Sequence, residues 1–148
     1  MGLRDAITKV VRDKAISDFE FVRPTKWEGV LNQIAERFLC NGSRDLKSIW
    51  LWLSFRDPII TVQPDNPMRW LRDCLDPSME YWFIATEEDG KYWIASATGA
   101  AVIKVIEEMY GFEYYVVDRE MGWMLCENHH GVFIRSNQAT STLENAAQ

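Results

Sequence analysis

Cys126-Glu127-Asn128-His129-His130-Gly131 gathers a thiol, a carboxylate and both histidines of the chain into six residues. Three reactions could use those groups. Glu127 and His130 could share a proton as a general acid–base pair. Cys126 could act as a nucleophile with His129 or His130 as its base. The two imidazoles could hold a metal ion. Each reading meets a physical objection. Adjacent histidines on an extended chain point to opposite faces and converge only in a turn. No cation or helix N-terminus stands beside Cys126 to favour its thiolate. The plainer reading is a turn with Asn128 in the left-handed region and an imidazole packed on Trp123. Asp118, at the end of the preceding strand, is expected nearby across the hairpin. The reading adopted is a binding surface of Asp118, Trp123, Glu127, Asn128, His129 and His130. No catalytic residue, metal or cofactor is assigned. The alternative is a small hydrolase-like enzyme centred on Glu127, His129 and His130.

A second polar group, Glu87-Glu88-Asp89, precedes Gly90. Asp-Gly is a strong hairpin signal, so these acids sit on a hairpin tip. They are read as steering a basic partner rather than as paired catalytic carboxylates. Ala97-Thr-Gly-Ala-Ala opens a helix and is read as ordinary capping, not as an anion site.

The elements that position these groups follow from periodicity. Leu3, Ile7, Val10 and Val11 recur at helical spacing, predicting a helix over 3–14. Residues 19–24 are extended, because Arg23 precedes Pro24. Thr25-Lys-Trp-Glu28 matches a capping box and starts a helix running to about Cys40. Ser48–Phe55 fits a helix and a doubly buried strand equally well. Ile59–Val62 is extended, and Asn66-Pro67 opens a short helix ending near Leu75. Strands are predicted over 80–86 and 91–95, a helix over 98–110 ended by Gly111, and strands over 112–118, 123–127 and 132–135. Tyr81-Trp-Phe-Ile-Ala and Tyr114-Tyr-Val-Val are apolar at consecutive positions, so the sheet is expected to be covered on both faces. The fold class is α+β, with a mainly antiparallel C-terminal sheet packed by helices and an N-terminal helical part. Residues 1–135 are read as one α+β domain and 136–148 as a flexible polar tail.

Composition narrows the class of partner. The chain has 148 residues and a net charge of −6. Residues 1–60 carry ten basic and eight acidic side chains; residues 61–148 carry six and fourteen, a net −8. That acidic half repels nucleic-acid phosphates and suits a basic protein partner. Seven tryptophans, at 27, 50, 52, 70, 82, 93 and 123, have mostly apolar or acidic neighbours. They are expected to build an aromatic core, with a few rings left for an interface. Cys40, Cys74 and Cys126 are odd in number and widely spaced, so they are read as free thiols acting as small buried hydrophobes. No apolar stretch approaches a membrane span, and the start is charged at once, so a cytoplasmic protein without membrane contact is expected. A homodimer through an apolar sheet face is a further possibility.

Glu113-Tyr-Tyr-Val-Val-Asp118 followed by Trp123-Met-Leu-Cys-Glu-Asn-His-His130 resembles the C-terminal signature of a small uncharacterised bacterial family. That signature reads E-Y-Y-I-V-x-K, a short turn, then W-L-x-x-E-N-H-H-D. The resemblance covers about residues 80–135. Some members lie beside polymorphic-toxin genes, as immunity proteins do, and the broadly similar SMI1/KNR4-type immunity proteins are also acidic and α+β. The resemblance thus implies a bacterial immunity protein that neutralises a toxin by occlusion. Arg119 stands where a Lys is usual, and Gly131 where an acid is usual; the second change weakens any chemical role for that acid.

Overall fold

The structure, a computed structural model, describes residues 2–47, 51–87, 91–109, 112–128 and 131–137. Among these residues, seven strands form one antiparallel sheet. They are β1 (Phe19–Phe21), β2 (Ile59–Val62), β3 (Glu80–Thr86), β4 (Tyr92–Thr98), β5 (Glu113–Asp118), β6 (Trp123–Glu127) and β7 (Phe133–Asn137). Their order across the sheet is β1-β4-β3-β5-β6-β7-β2. The C-terminal strands therefore form the centre, and the two N-terminal strands close the edges.

Because successive side chains on a strand face opposite ways, the consecutive apolar residues divide between two cores. Tyr81, Phe83 and Ala85 of β3, Tyr114 and Val116 of β5, and Leu125 and Phe133 face one side. There they meet α1 (Leu3–Asp13), α3 (Pro67–Cys74) and α4 (Gly99–Glu108) through Ile7, Leu71, Val102 and Val105. Ile84, Ile94, Tyr115, Val117, Met124 and Cys126 face the other side, against Leu31, Ile34, Ala35 and Phe38 of α2 (Pro24–Phe38). The class is α+β, and both faces are covered, as the unbroken apolar runs required. All six described tryptophans (27, 52, 70, 82, 93 and 123) are half-buried, so each ring keeps one margin at the surface.

Several boundaries differ from the sequence expectation. Helix α2 starts at Pro24 with Arg23 as its N-cap, and no side chain caps it. Thr25 is inside the helix, so the Thr25–Glu28 capping box does not form. Proline's preset φ suits the first helical position, and the residue before it is pushed extended; Arg23 has φ −64° and ψ 144°. The ambiguous stretch is neither α-helix nor strand where described: Leu51–Ser54 is a short 3-10 helix, and Ser48–Trp50 lie outside the described residues. Asn66 caps α3 as expected, its side chain accepting from the Arg69 amide at 3.1 Å. Helix α4 stops at Glu108, ahead of Gly111, which lies outside the described residues. Strand β7 continues through Ser136 and Asn137, residues assigned to the tail by composition. Both are buried, and the Asn137 amide donates to the Pro58 carbonyl at 3.1 Å while Ser136 Oγ donates to the Arg56 carbonyl at 2.7 Å. The Ser136 hydroxyl and the Asn137 backbone thus tie β7 to the segment leading into β2, while Asn137 Oδ1 accepts from Arg135 Nε at 2.7 Å. No described helix is long and apolar enough to cross a membrane.

Candidate functional site

The end of the β6–β7 hairpin carries the cluster singled out by composition. Glu127, the last residue of β6, pairs in register with Tyr114 of β5. Its carboxylate accepts the Tyr114 hydroxyl at 2.8 Å. Tyr114 is buried, and burial, reinforced by the Glu127 charge, pushes its pKa well above the usual phenol value. The pair is therefore a fixed O–H···O bond between strands rather than a proton-exchanging couple at neutral pH. Cys126 faces the α2 core and is fully buried. Burial pushes its thiol pKa well up, the opposite of what a nucleophile needs.

Asn128 is buried and closes the turn. Its amide donates to the Val132 carbonyl at 3.0 Å, and its Oδ1 accepts from the Val132 amide at 3.2 Å. The left-handed position expected at Asn128 falls at Gly131, with φ 73°. Glycine reaches that region without a Cβ clash, and Asn128 is freed to bond across the turn. His129 and His130 lie outside the described residues. Trp123, expected to carry an imidazole, packs on Tyr81 with ring centres 5.7 Å apart and lies 4.8 Å from the Arg135 guanidinium.

The acidic positions separate. Asp118 Oδ2 accepts from the Gly122 amide at 3.1 Å and so shapes the β5–β6 turn. Glu87 fastens α1 to the sheet: Oε1 accepts the Leu3 amide at 3.0 Å and Oε2 the Trp93 indole N–H at 2.8 Å. A carboxylate at that first turn also meets the positive end of the helix. Glu88 and Asp89 lie outside the described residues. The structure thus joins Glu127 with Tyr114, and Trp123 with Tyr81, and places Glu87 and Asp118 in separate structural bonds. Among the described residues, no three His, Cys, Asp or Glu side chains gather as a metal site. The cysteines are free; Cys126 is buried and Cys74 half-buried, but Cys40 is exposed, just past the end of α2, contrary to its reading as a buried hydrophobe.

Sequence reasoning passed over the outer edge of β2. Among the described residues this strand pairs with β7 alone, and Ile59, Ile60 and Thr61 are all exposed. Ile59 is 39% and Ile60 45% exposed, and Leu53, upstream in the same segment, is 65% exposed. The Asn137–Pro58 bond fixes the ladder phase, so Ile60 pairs with Arg135 by hydrogen bonds. In an antiparallel ladder such pairs alternate, which turns the backbone groups of Ile59 and Thr61 toward the open edge. The available signal was an Ile-Ile-Thr-Val strand with no second partner strand near it in sequence.

The fold and site together define a doubly covered antiparallel sheet in which Glu127, Asn128 and Asp118, among the described residues near the hairpin end, bond to neighbouring strands and turns. The chain belongs to the DUF6756 family of unknown function, whose family model matches residues 1–147. Comparison with curated proteins and with solved structures gives no match in either.

Proposed function

We propose that this is a non-catalytic binding protein that engages a basic protein partner along the β2 edge. The observation that carries the reading is that edge: outward backbone groups at Ile59 and Thr61 beside exposed isoleucines. An open strand with apolar side chains is a template for an added strand, the backbone supplying affinity and the side chains register. The net charge of −6, with Asp65, Asp73, Asp76, Glu80 and Glu120 exposed, supplies steering toward a basic surface. The bonds made by Glu127, Asn128 and Asp118 support a structural rather than a catalytic use of those side chains. The resemblance to immunity proteins supports a bacterial toxin as the partner, neutralised in the cytoplasm by occlusion.

The test is capture of a basic partner from the source organism, followed by binding kinetics with that partner purified. Ile60→Lys and Thr61→Pro should each weaken binding by about tenfold or more, since proline removes an outward N–H yet is tolerated on an edge strand. Association should also slow steeply with salt. Equal binding by both variants, or a salt-independent rate, overturns the reading.

A further inference from the structure

At the opposite end of the sheet from β2, a cleft of about 450 Å³ opens between the first turn of α2 and the sheet. That is within the usual size of small-molecule sites. Its floor follows from register: Glu20 of β1 pairs with Ser96 of β4, and Ser96 with Trp82 of β3. These three side chains form one row on the α2 side of the sheet. Arg23 and Lys26 enter from the start of α2, and Arg119 from the turn after β5. Three cations thus line a cleft with one carboxylate, on a chain whose net charge is −6.

Arg119 is held in a set pose. Its guanidinium lies 3.8 Å from the centre of the Trp82 ring, and its Nη2 donates to Ser96 Oγ. Glu80 stands 3.9 Å away and is 63% exposed, so water screens that attraction. Although the side chain as a whole is 29% exposed, its Nε is shielded from solvent and has no hydrogen-bond partner. An arginine fixed by stacking on an indole, with part of its guanidinium still open to the cleft, is prearranged for an oxyanion. Among the described residues, neither Arg23 nor Lys26 forms an ion pair. Concentrating unpaired like charges costs free energy unless an anion neutralises them.

We propose that this cleft binds the phosphate or carboxylate head of a small organic anion, with the ligand's apolar body against Val22 and Trp82. The head sits among Arg119, Arg23 and Lys26 and meets the open part of the Arg119 guanidinium. Glu20 disfavours a second negative charge, which selects a ligand charged at one end. The strand of the cleft floor nearest to β2, β3, is four strand spacings, about 19 Å, from it, so the site stands or falls separately from the partner reading.

Isothermal titration of the full chain with phenyl phosphate, benzoate and inorganic phosphate tests it. Saturable one-to-one binding of phenyl phosphate or benzoate below about 1 mM is expected, and the tighter of the two identifies the head group. Loss of a charge-assisted bond in Arg119→Gln should weaken that binding by about tenfold or more. The double variant Arg23→Gln/Lys26→Gln should do the same and, being at exposed positions, leaves the fold intact; it decides the matter if Arg119→Gln unfolds. Glu20→Gln should tighten binding. Equal affinity for inorganic phosphate and phenyl phosphate overturns the role given to the apolar wall. No saturable heat with any probe up to about 10 mM, or unchanged affinity in the double variant, overturns the proposal.

Discussion

Replacing Glu113 by alanine should destabilise the protein by about 3 to 4 kcal/mol. Glu113 opens β5, is buried, and reaches across to the 3-10 helix Leu51–Ser54. Its Oε1 accepts the Trp52 indole N–H at 3.0 Å, and its Oε2 accepts the Tyr115 hydroxyl at 3.1 Å. The Tyr115 oxygen in turn accepts the Trp52 amide at 3.4 Å, closing a ring of bonds between a loop and the sheet. Truncation leaves the fully buried Tyr115 hydroxyl without its acceptor, at about 2 to 3 kcal/mol. Trp52 is half-buried, so its N–H can recover water, and its share is nearer 1 kcal/mol. Glu113→Gln keeps one acceptor oxygen and should lose only about 1 to 2 kcal/mol. Urea unfolding followed by far-ultraviolet circular dichroism reads these values, the alanine variant losing about 1.5 to 2 M in midpoint. Tyr115→Phe combined with Glu113→Ala should show a coupling of about 1 to 2 kcal/mol. A midpoint for Glu113→Ala within about 0.3 M of wild type, or strict additivity in the double variant, refutes the argument.

Two further outcomes follow from the core. Burial pushes the Tyr92 pKa up to about 12 and raises those of Tyr114 and Tyr115 as well, so the fold keeps protons that the unfolded chain releases above pH 10. Stability present below pH 10 should therefore fall as pH rises, by about 2 kcal/mol between pH 10 and 11 from Tyr114 and Tyr115 together, and Tyr115→Phe should remove about half of that loss; a stability unchanged between pH 10 and 11 in urea titrations contradicts this. Gly99 begins α4 against the chain at Asp76, where a Cβ would overlap the Asp76 carbonyl oxygen and lie 2.9 Å from its carbon. Gly99→Ala should cost about 3 kcal/mol and lower the melting temperature by about 10 °C, and a variant that melts with the wild type removes the close approach from the account.

Local chemistry was legible wherever a neighbour in sequence settles the conformation. Proline and asparagine placed the start of α3, and alternation with consecutive apolar residues announced the central strands and their two covered faces. The same local logic misplaced the start of α2, because Thr25-Lys-Trp-Glu28 satisfies the capping pattern while Pro24 and Arg23 already define the helix start. Tertiary contacts decided the rest. Leu51–Ser54 takes a 3-10 form, neither of the two options its periodicity allowed, where Glu113 and Tyr115 hold Trp52 from positions about sixty residues away. Ser136 and Asn137 are strand because Met124 and Trp123 of β6 pair with them on one side and Ile59 and Pro58 on the other, although their composition reads as tail. The same holds for function. Clustering in sequence pointed to Glu127 and its neighbours, yet Glu127 spends its charge on a tyrosine one strand away. Glu20, Arg23, Ser96, Trp82 and Arg119 share no sequence pattern, and only the register of β1, β4 and β3 brings them to one cleft. A chain of this length dictates its elements through short-range sterics and periodicity. Which side chains meet is set by strand order, and strand order depends on burying two apolar faces at once, which no local stretch encodes.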